Sequence, residues 1–365
     1  MQAHCDKAKL SEALQEIIAV VPSSSMIPVL NNILLNVNKD KLVLTASDLE
    51  IGLTIIIECE SEDELKTTVP AKLFAEIIKN FPEERITLDF QTDSVKILGQ
   101  KSQFFVNCVE PTEFPLLPEV SGKAFTLKKD ITLNLYNRVL PAVSSRGEGN
   151  IAFSSILLET SANEFRLITT DGQRLIVSKY WDSADFNSLH ILVPPKTFAV
   201  LNKILLKEKN DIEFTVGDRE ISFVMDGKKL ISRILEGNFP DYNKVIPENN
   251  SFSFLAYKSE IINALQRIHI VVRDSNRRVV FKLSQNNLQL SGNDPEKGWA
   301  EESLTVESIG GEFEGMFDVK KLIDGINNVE TEKVVFETAG PLHPLVIKEH
   351  DSDKYIYVLV SLRSL

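Results

Sequence analysis

The stretch Phe165-Arg-Leu-Ile-Thr-Thr-Asp171-Gly-Gln-Arg-Leu175 decides the fold, because the chain contains it three times in outline. Its first half alternates apolar and polar residues, and its second half is a hydroxyl, an aspartate and a glycine, which reads as a strand entering a turn. The same outline stands at Lys41-Leu-Val-Leu-Thr-Ala-Ser-Asp48 and at Leu288-Gln-Leu-Ser-Gly-Asn-Asp294. The three aspartates are spaced evenly at 123 residues. A second marker follows each one. Pro70-Ala-Lys72-Leu-Phe74, Pro194-Pro-Lys196-Thr-Phe198 and Asp318-Val-Lys320-Lys-Leu322 place their lysines 124 residues apart, each opening a run of apolar residues at helical spacing. Proline or aspartate at a first helical turn suits a helix start. A third marker, Glu113-Phe-Pro115, returns as Asn238-Phe-Pro240.

Even spacing of three markers implies tandem duplication of one module. Each copy opens with a helical pattern (Leu10 to Val21, Ile131 to Val143, Ile261 to Val272) and continues in alternating segments such as Ile86-Thr-Leu-Asp-Phe90, Asp211-Ile-Glu-Phe-Thr-Val216 and Lys333-Val-Val-Phe336. The copies therefore read as α+β modules of two helices and about eight short antiparallel strands each. Boundaries fall near Ser121-Gly122 and Glu248-Asn250, giving domains 1–122, 123–248 and 249–365. Gln2-Ala-His-Cys5, at the head of the first copy, lacks clean alternation.

Composition narrows the function classes. The chain is 43% hydrophobic and 25% charged, as expected of a soluble globular protein. No apolar run approaches the roughly 20 residues that span a bilayer, and the N-terminus does not resemble a signal peptide; the expectation is a cytoplasmic protein with no membrane partner. Cys5, Cys59 and Cys108 are odd in number and widely spaced, which excludes a disulfide framework or a CxxC metal clip. The net charge of −12 argues against a general nucleic-acid binder unless the charges are segregated. They are. Six helical windows (9–21, 70–82, 128–140, 194–209, 258–273 and 318–330) are together net positive, so the rest of the chain is more acidic than the whole. Lysines gathered on helices could meet the phosphates of a duplex without reading its bases.

Catalytic and cofactor motifs are missing. There is no GxxxxGK[ST], HExxH, GxSxG or GxGxxG, and the five histidines have no metal spacing. Asp226-Gly-Lys228 reads as a hairpin turn. Asp48, Asp171 and Asp294, at equivalent turns, read as turn caps rather than as an acidic catalytic set. The sequence thus points to a non-enzyme without metal or cofactor.

The residues assembled here, with Ile27-Pro-Val-Leu-Asn-Asn-Ile-Leu-Leu35, Leu44-Thr-Ala-Ser-Asp-Leu-Glu50, Thr68-Val-Pro-Ala-Lys72, Thr169-Thr-Asp-Gly-Gln-Arg-Leu175, Phe239-Pro-Asp-Tyr-Asn-Lys-Val-Ile-Pro247 and Tyr355-Ile-Tyr-Val-Leu359, resemble the beta subunit of bacterial DNA polymerase III, the sliding-clamp family. The similarity runs over nearly the whole chain. It implies three clamp-fold domains and a head-to-tail homodimer whose six domains form a ring around duplex DNA, with the replicative polymerase, a clamp loader and other clamp-binding proteins as partners. By this resemblance Lys72, Lys79, Arg146, Lys196 and Lys203 face DNA, Arg146 from the loop Ser144 to Asn150. Phe153, Thr170, Gly172, Arg174, Leu175, Pro240, Val245, Pro344, Val358, Val360 and Leu362 line a hydrophobic groove for partner peptides. Thr170 and Arg174 would orient the peptide by hydrogen bonds. Phe104 and Val106 of one subunit meet Ile270 and Val271 of the next, with Lys72 and Lys101 facing Glu301 and Glu302. Departures from the family pattern are Ser24, Gln173, Asn238, a larger Phe153 and a C-terminus running past Arg363 to Ser364-Leu365. Two other readings fit the same repeats: an interaction scaffold that does not encircle DNA, and an enzyme with a site assembled between domains.

Overall fold

The computed structural model describes residues 1–62, 64–144 and 150–363, apart from the side chains of 183–185 and 187. The first copy runs β1 (Gln2–Asp6), α1 (Lys7–Ile17), β2 (Asn32–Asn38), β3 (Lys41–Ser47), β4 (Ile51–Glu58), β5 (Glu64–Pro70), α2 (Ala71–Asn80), β6 (Arg85–Phe90), β7 (Ser94–Leu98) and β8 (Gln103–Asn107). The second runs β9 (Ala124–Leu127), α3 (Lys129–Val139), β10 (Ile156–Thr170), β11 (Arg174–Val193), α4 (Pro195–Leu205), β12 (Ile212–Val216), β13 (Glu220–Met225) and β14 (Lys228–Arg233). The third runs β15 (Phe252–Tyr257), α5 (Lys258–Val272), β16 (Arg278–Ser284), β17 (Asn287–Asp294), β18 (Gly298–Thr305), β19 (Glu307–Ile309), β20 (Phe313–Asp318), α6 (Val319–Asn327), β21 (Lys333–Thr338), β22 (Leu345–Glu349) and β23 (Tyr355–Leu359).

Asp6 caps α1 by accepting from the Lys9 amide at 2.9 Å, so this helix starts at Lys7 and ends at Ile17, earlier than the apolar pattern suggests. Asp318 does the same for α6 through the Lys321 amide at 3.0 Å. β1 is a regular strand: Ala3 and Cys5 point inward and Gln2 and Asp6 outward, so a methyl and a thiol serve as the apolar half of the alternation. Among the described residues the second copy has six strands where the sequence predicts about eight short ones, because two of them are long. Residues 156–160 of β10 pair with 189–193 of β11, and 164–170 pair with 175–181, so each long strand does the work of two.

The chain divides into two compact units, Met1–Thr132 with Lys196–Ile234, and Leu133–Pro195 with Leu235–Leu365. The first holds a four-stranded sheet, β1-β6-β7-β8, and an eight-stranded sheet, β5-β2-β3-β4-β14-β13-β12-β9. The second holds a seven-stranded sheet, β10-β11-β23-β22-β21-β15-β19, and a four-stranded sheet, β18-β17-β16-β20. Each large sheet is two copies joined edge to edge. In the first unit β4 pairs antiparallel with β14, Leu53 opposite Leu230, both fully buried. In the second β11 pairs with β23, Leu175 opposite Val358.

Helices pack against the sheets within each unit. In the second unit Phe254, Phe281, Phe317 and Phe336 form one aromatic cluster, with Phe254 and Phe336 parallel at 4.6 Å and Phe317 edge-on to Phe281. Burial of each such ring stabilises by about 1.5–3 kcal/mol. Arg138 of α3 is also buried, held by Glu349 at 2.6 Å and Glu330 at 2.9 Å. One positive charge of the 128–140 window is therefore spent inside the protein and does not face solvent.

Candidate functional site

The three repeated aspartates make the same turn, atom for atom. Asp48 Oδ1 accepts from the amides of Glu50 (3.0 Å) and Ile51 (2.8 Å). Asp171 Oδ1 accepts from Gln173 and Arg174 (both 2.9 Å), and Asp294 Oδ1 from Glu296 (2.9 Å) and Lys297 (3.1 Å). In the first two copies the preceding hydroxyl joins in: Ser47 and Thr170 each accept from the amide two residues on and donate to the carbonyl four residues on. The residue after the aspartate has positive φ in both, +76° at Leu49 and +81° at Gly172. The carboxylates are turn caps, as their positions imply.

At the second turn this geometry shapes part of the candidate groove. Leu175 and Val358 are a buried cross-strand pair, and they belong to a cluster that includes Ile168, Phe239 and Tyr242, with Phe153 packed against it. A Cβ on Gly172 would lie 3.3 Å from the Phe153 ring, so the bare glycine backbone sits directly on that ring. Around this floor stand exposed apolar groups: Pro240, Val245 (47% exposed) and Val360 (45%). Val360 is tied to the turn by its amide, which donates to the Gln173 carbonyl at 2.9 Å. Leu362, half-buried, donates its amide to Met316 O at 2.7 Å. Pro344, also half-buried, precedes Leu345, the partner of Leu359.

Two of the candidate groove residues make bonds within the protein. Arg174 is a brace: its Nε donates to Asp171 Oδ2 and its Nη1 to Asp324 Oδ2, both at 3.0 Å, with only 12% of the side chain exposed. Burial works to lower its pKa, but Tyr357, Asp324 and Asp171 outweigh that and hold it above the ordinary arginine value. Thr170 spends its hydroxyl within the turn. These bonds fix the shape of the turn. Asp324 carries half of this brace and has no counterpart among the repeated markers, so pattern reading misses it. Behind it, a Cβ on Gly325 would come within 2.8 Å of the Tyr357 ring, and the Tyr357 hydroxyl donates to Lys321 O at 2.8 Å, locking α6 onto β23.

Gly172→Ala should lower stability by about 1–2 kcal/mol, from the left-handed backbone alone, and push on Phe153. Urea unfolding measures it; an unchanged midpoint would mean that the turn relaxes at no cost.

The proposed DNA-facing lysines sit on amphipathic helices of the first unit. α2 buries Ala71, Phe74, Ala75 and Ile78, leaving Lys72 and Lys79, two turns apart, on the exposed face. α4 repeats this with Lys196 and Lys203. Lys203 is exposed. Lys196 is bound to Asp48 of the first turn and to Val20 O at 3.4 Å, so it braces the joint as well as carrying charge. Arg146 lies outside the described residues.

At the candidate subunit contact, Phe104 (41% exposed) and Ile270 (63%) are exposed apolar groups, and Val271 is half-buried. Val106 is 1% exposed and belongs to the core of its own sheet; Phe105, 58% exposed, is the outward neighbour of Phe104. Glu302 is already held by Arg267 through two bonds, at 2.6 and 3.0 Å, which keeps its carboxyl below the ordinary range; Glu301, Lys72 and Lys101 are exposed. Among the described residues no cluster of three or more histidine, cysteine or acidic groups could hold a metal, and no helix is long and apolar enough to cross a membrane.

Three α+β copies joined strand to strand, each carrying two helices, define a clamp-fold protein. Family models of the DNA polymerase III beta subunit match the chain throughout: the N-terminal domain over residues 1–118, the central domain over 126–241 and the C-terminal domain over 243–363. The beta sliding clamp of Staphylococcus epidermidis is 26% identical over 367 residues, covering 96% of each chain. The structure of the DNA polymerase III subunit beta from Pseudomonas aeruginosa matches with a TM-score of 0.94 and 26% identity over 100% of both chains. The DNA polymerase sliding clamp from Bacillus subtilis shares the fold, with a TM-score of 0.96 at 23% identity over the same full lengths. The chain belongs to the DNA polymerase III beta subunit family, the beta sliding clamps.

Proposed function

We propose that this sliding clamp works as a head-to-tail dimer, a closed ring that encircles duplex DNA and holds the replicative polymerase to it through the groove at Leu175 and Val358. The role is topological and non-catalytic, and a clamp loader is the partner that opens the ring.

The observation that carries this reading is the rule of the joints. The fourth strand of the first copy (β4) pairs with the last strand of the second (β14), and the corresponding segment of β11 pairs with the last strand of the third (β23). Carried one step further, the rule pairs β18 with β8. Both are edge strands of their sheets within the chain. A second copy of the chain satisfies the rule twice and closes the ring, as a heterologous contact must to avoid growing into a filament. The register follows too. Leu53 and Leu230 are opposite each other at the first joint; Trp299 and Phe105 hold the equivalent places. Leu53 and Leu230 are fully buried, whereas Trp299 is 72% and Phe105 58% exposed in the single chain. Two exposed aromatics at the equivalent of a buried pair are what an unmade joint leaves behind.

The mass in solution tests this directly. The closed form weighs twice the 41.0 kDa chain; a monomer at micromolar concentration would contradict it.

The DNA contact is proposed to be electrostatic and sequence-independent, since exposed lysines can touch phosphates without reading base edges. Weak contacts suit a ring that slides. Replacing Lys72, Lys79 and Lys203 singly by alanine should each reduce the salt dependence of DNA association by about one counterion and leave the dimer intact. Lys196→Ala should also loosen the first joint, because it strips Asp48 of its partner. Equal salt slopes for wild type and all three single variants would remove these lysines from the DNA-facing surface.

A further inference from the structure

The three cysteines look unrelated in sequence, yet two of them flank one antiparallel bridge and line the same cleft. His4 and Glu60 form an antiparallel bridge in which each amide donates to the other's carbonyl, both at 2.9 Å. Cys5 follows His4 and Cys59 precedes Glu60, so the two cysteines occupy the next facing position. That position is of the non-hydrogen-bonded kind, where Cα atoms of opposite residues are about 4.5 Å apart and side chains come closest. Residues so placed have a Cα separation typically within the roughly 4.4–6.8 Å range of disulfide-linked residues. Both side chains are buried, Cys5 to 1% and Cys59 to 6% exposure, and both line a surface cleft of about 400 Å³ with His4, Glu84 and Arg85. Cys108, the third thiol, stands apart in the loop after β8.

We propose that Cys5 and Cys59 are a cross-strand dithiol that closes to an intramolecular disulfide by exchange with a low-molecular-weight disulfide such as oxidised glutathione. In the first step one cysteine thiolate attacks a glutathione sulfur, forming a mixed disulfide and expelling one glutathione thiolate. In the second the other cysteine thiolate attacks the protein sulfur of that mixed disulfide, forming the Cys5–Cys59 bond and expelling the second glutathione. The two thiol protons end on the two glutathiones; the protein pair is oxidised by two electrons and the glutathione disulfide is reduced by two. The bond would tie β1, in the sheet that ends at β8, to the end of β4, in the sheet that makes the first joint. Repeat one would then carry its joint strand and its proposed ring-closing sheet on one covalent frame.

Burial pushes the Cys5 thiol up to about 12, with Cys59 and Asp6 adding to the effect, and burial raises Cys59 as well. Thiolate is therefore scarce in the folded protein, and exchange is slow. The test must reach equilibrium by another route. The full chain, unfolded and reduced, is refolded in a glutathione redox buffer with an excess of the oxidised form, quenched with an alkylating reagent and mapped by mass spectrometry. The proposal predicts loss of two of the three thiols, a single Cys5–Cys59 cross-linked peptide, and unfolding at higher urea than the reduced form. Cys108→Ser should leave this unchanged; Cys5→Ser and Cys59→Ser, each close in size to the native residue, should abolish the cross-link while the protein still folds. Three free thiols at equilibrium, glutathione stably attached to either cysteine, or a cross-link that includes Cys108 would overturn it.

Discussion

Replacing Trp299 by aspartate should leave the proposed ring as folded monomers. The side chain is 72% exposed in the single chain and lies on the edge strand β18, so its loss costs the fold little. In the dimer it would face Phe105 across an antiparallel pair, and a carboxylate there must lose its water without gaining a partner. Truncating a buried aromatic anchor costs about 2–4 kcal/mol, and a two-membered ring contains two such contacts. The dimer dissociation constant should rise by on the order of 1,000-fold or more. Ile270→Asp, on the neighbouring helix α5, should act in the same direction. Sedimentation over a concentration series reads this, with circular dichroism to confirm the fold. Val106→Asp is the contrasting variant. Because Val106 is in the core, it should unfold the first sheet instead of merely opening the ring. A Trp299→Asp protein that remains dimeric at nanomolar concentration would show that β18 and β8 are not the closing pair.

Replacing Val360 and Leu362 together by alanine should weaken binding of a polymerase-derived hydrophobic peptide by about 1–3 kcal/mol, a 5- to 150-fold loss. The two residues follow β23 and stand beyond the buried pair of Leu175 and Val358. Val360 is held at the rim by its amide bond to Gln173 O, so its side chain is presented without paying much ordering entropy on binding. The aliphatic contact is non-directional, and the polar neighbours Arg174 and Thr170 are already engaged within the protein. The affinity of the groove should thus come mostly from apolar burial and respond weakly to salt. Titration of a labelled peptide against both forms decides the matter. Equal affinities with the dimer intact would place the peptide elsewhere. The same titration on Asp324→Asn should give a smaller loss, because that variant loosens the Arg174 brace but removes no apolar surface.

The parts of this fold that are legible in the sequence are those governed by local chemistry. An aspartate two and three residues before amides that need an acceptor makes the same turn wherever it occurs, so Asp48, Asp171 and Asp294 announce the threefold repeat. Asp226-Gly227 closes the β13–β14 hairpin with both residues at positive φ, as the dipeptide suggests. Helix faces follow from apolar spacing, and their lysines from what is left over. What is not legible depends on partners distant in the chain. Phe104-Phe105-Val106 has no clear alternation, so only the folded sheet tells that Val106 points in and Phe105 out. The brace from Arg174 to Asp324 joins residues 150 positions apart. Burial of Arg138 depends on Glu349 in the last copy. The facing of Cys5 and Cys59 depends on a single bridge at His4 and Glu60. The edge strands β8 and β18 are visible as equivalents of joint strands only after the joints themselves are known.

Retention on DNA of different topology separates encirclement from ordinary phosphate binding. Protein loaded with a clamp loader onto nicked circular duplex should stay bound through gel filtration at a salt concentration that dissolves ordinary phosphate contacts, because a closed ring cannot leave a circle. Cutting that circle once should release it within the time of the run, as the ring slides off the ends. Trp299→Asp should fail on both substrates. Equal retention on circular and linear DNA, or release from the circle as fast as from the cut form, would contradict encirclement.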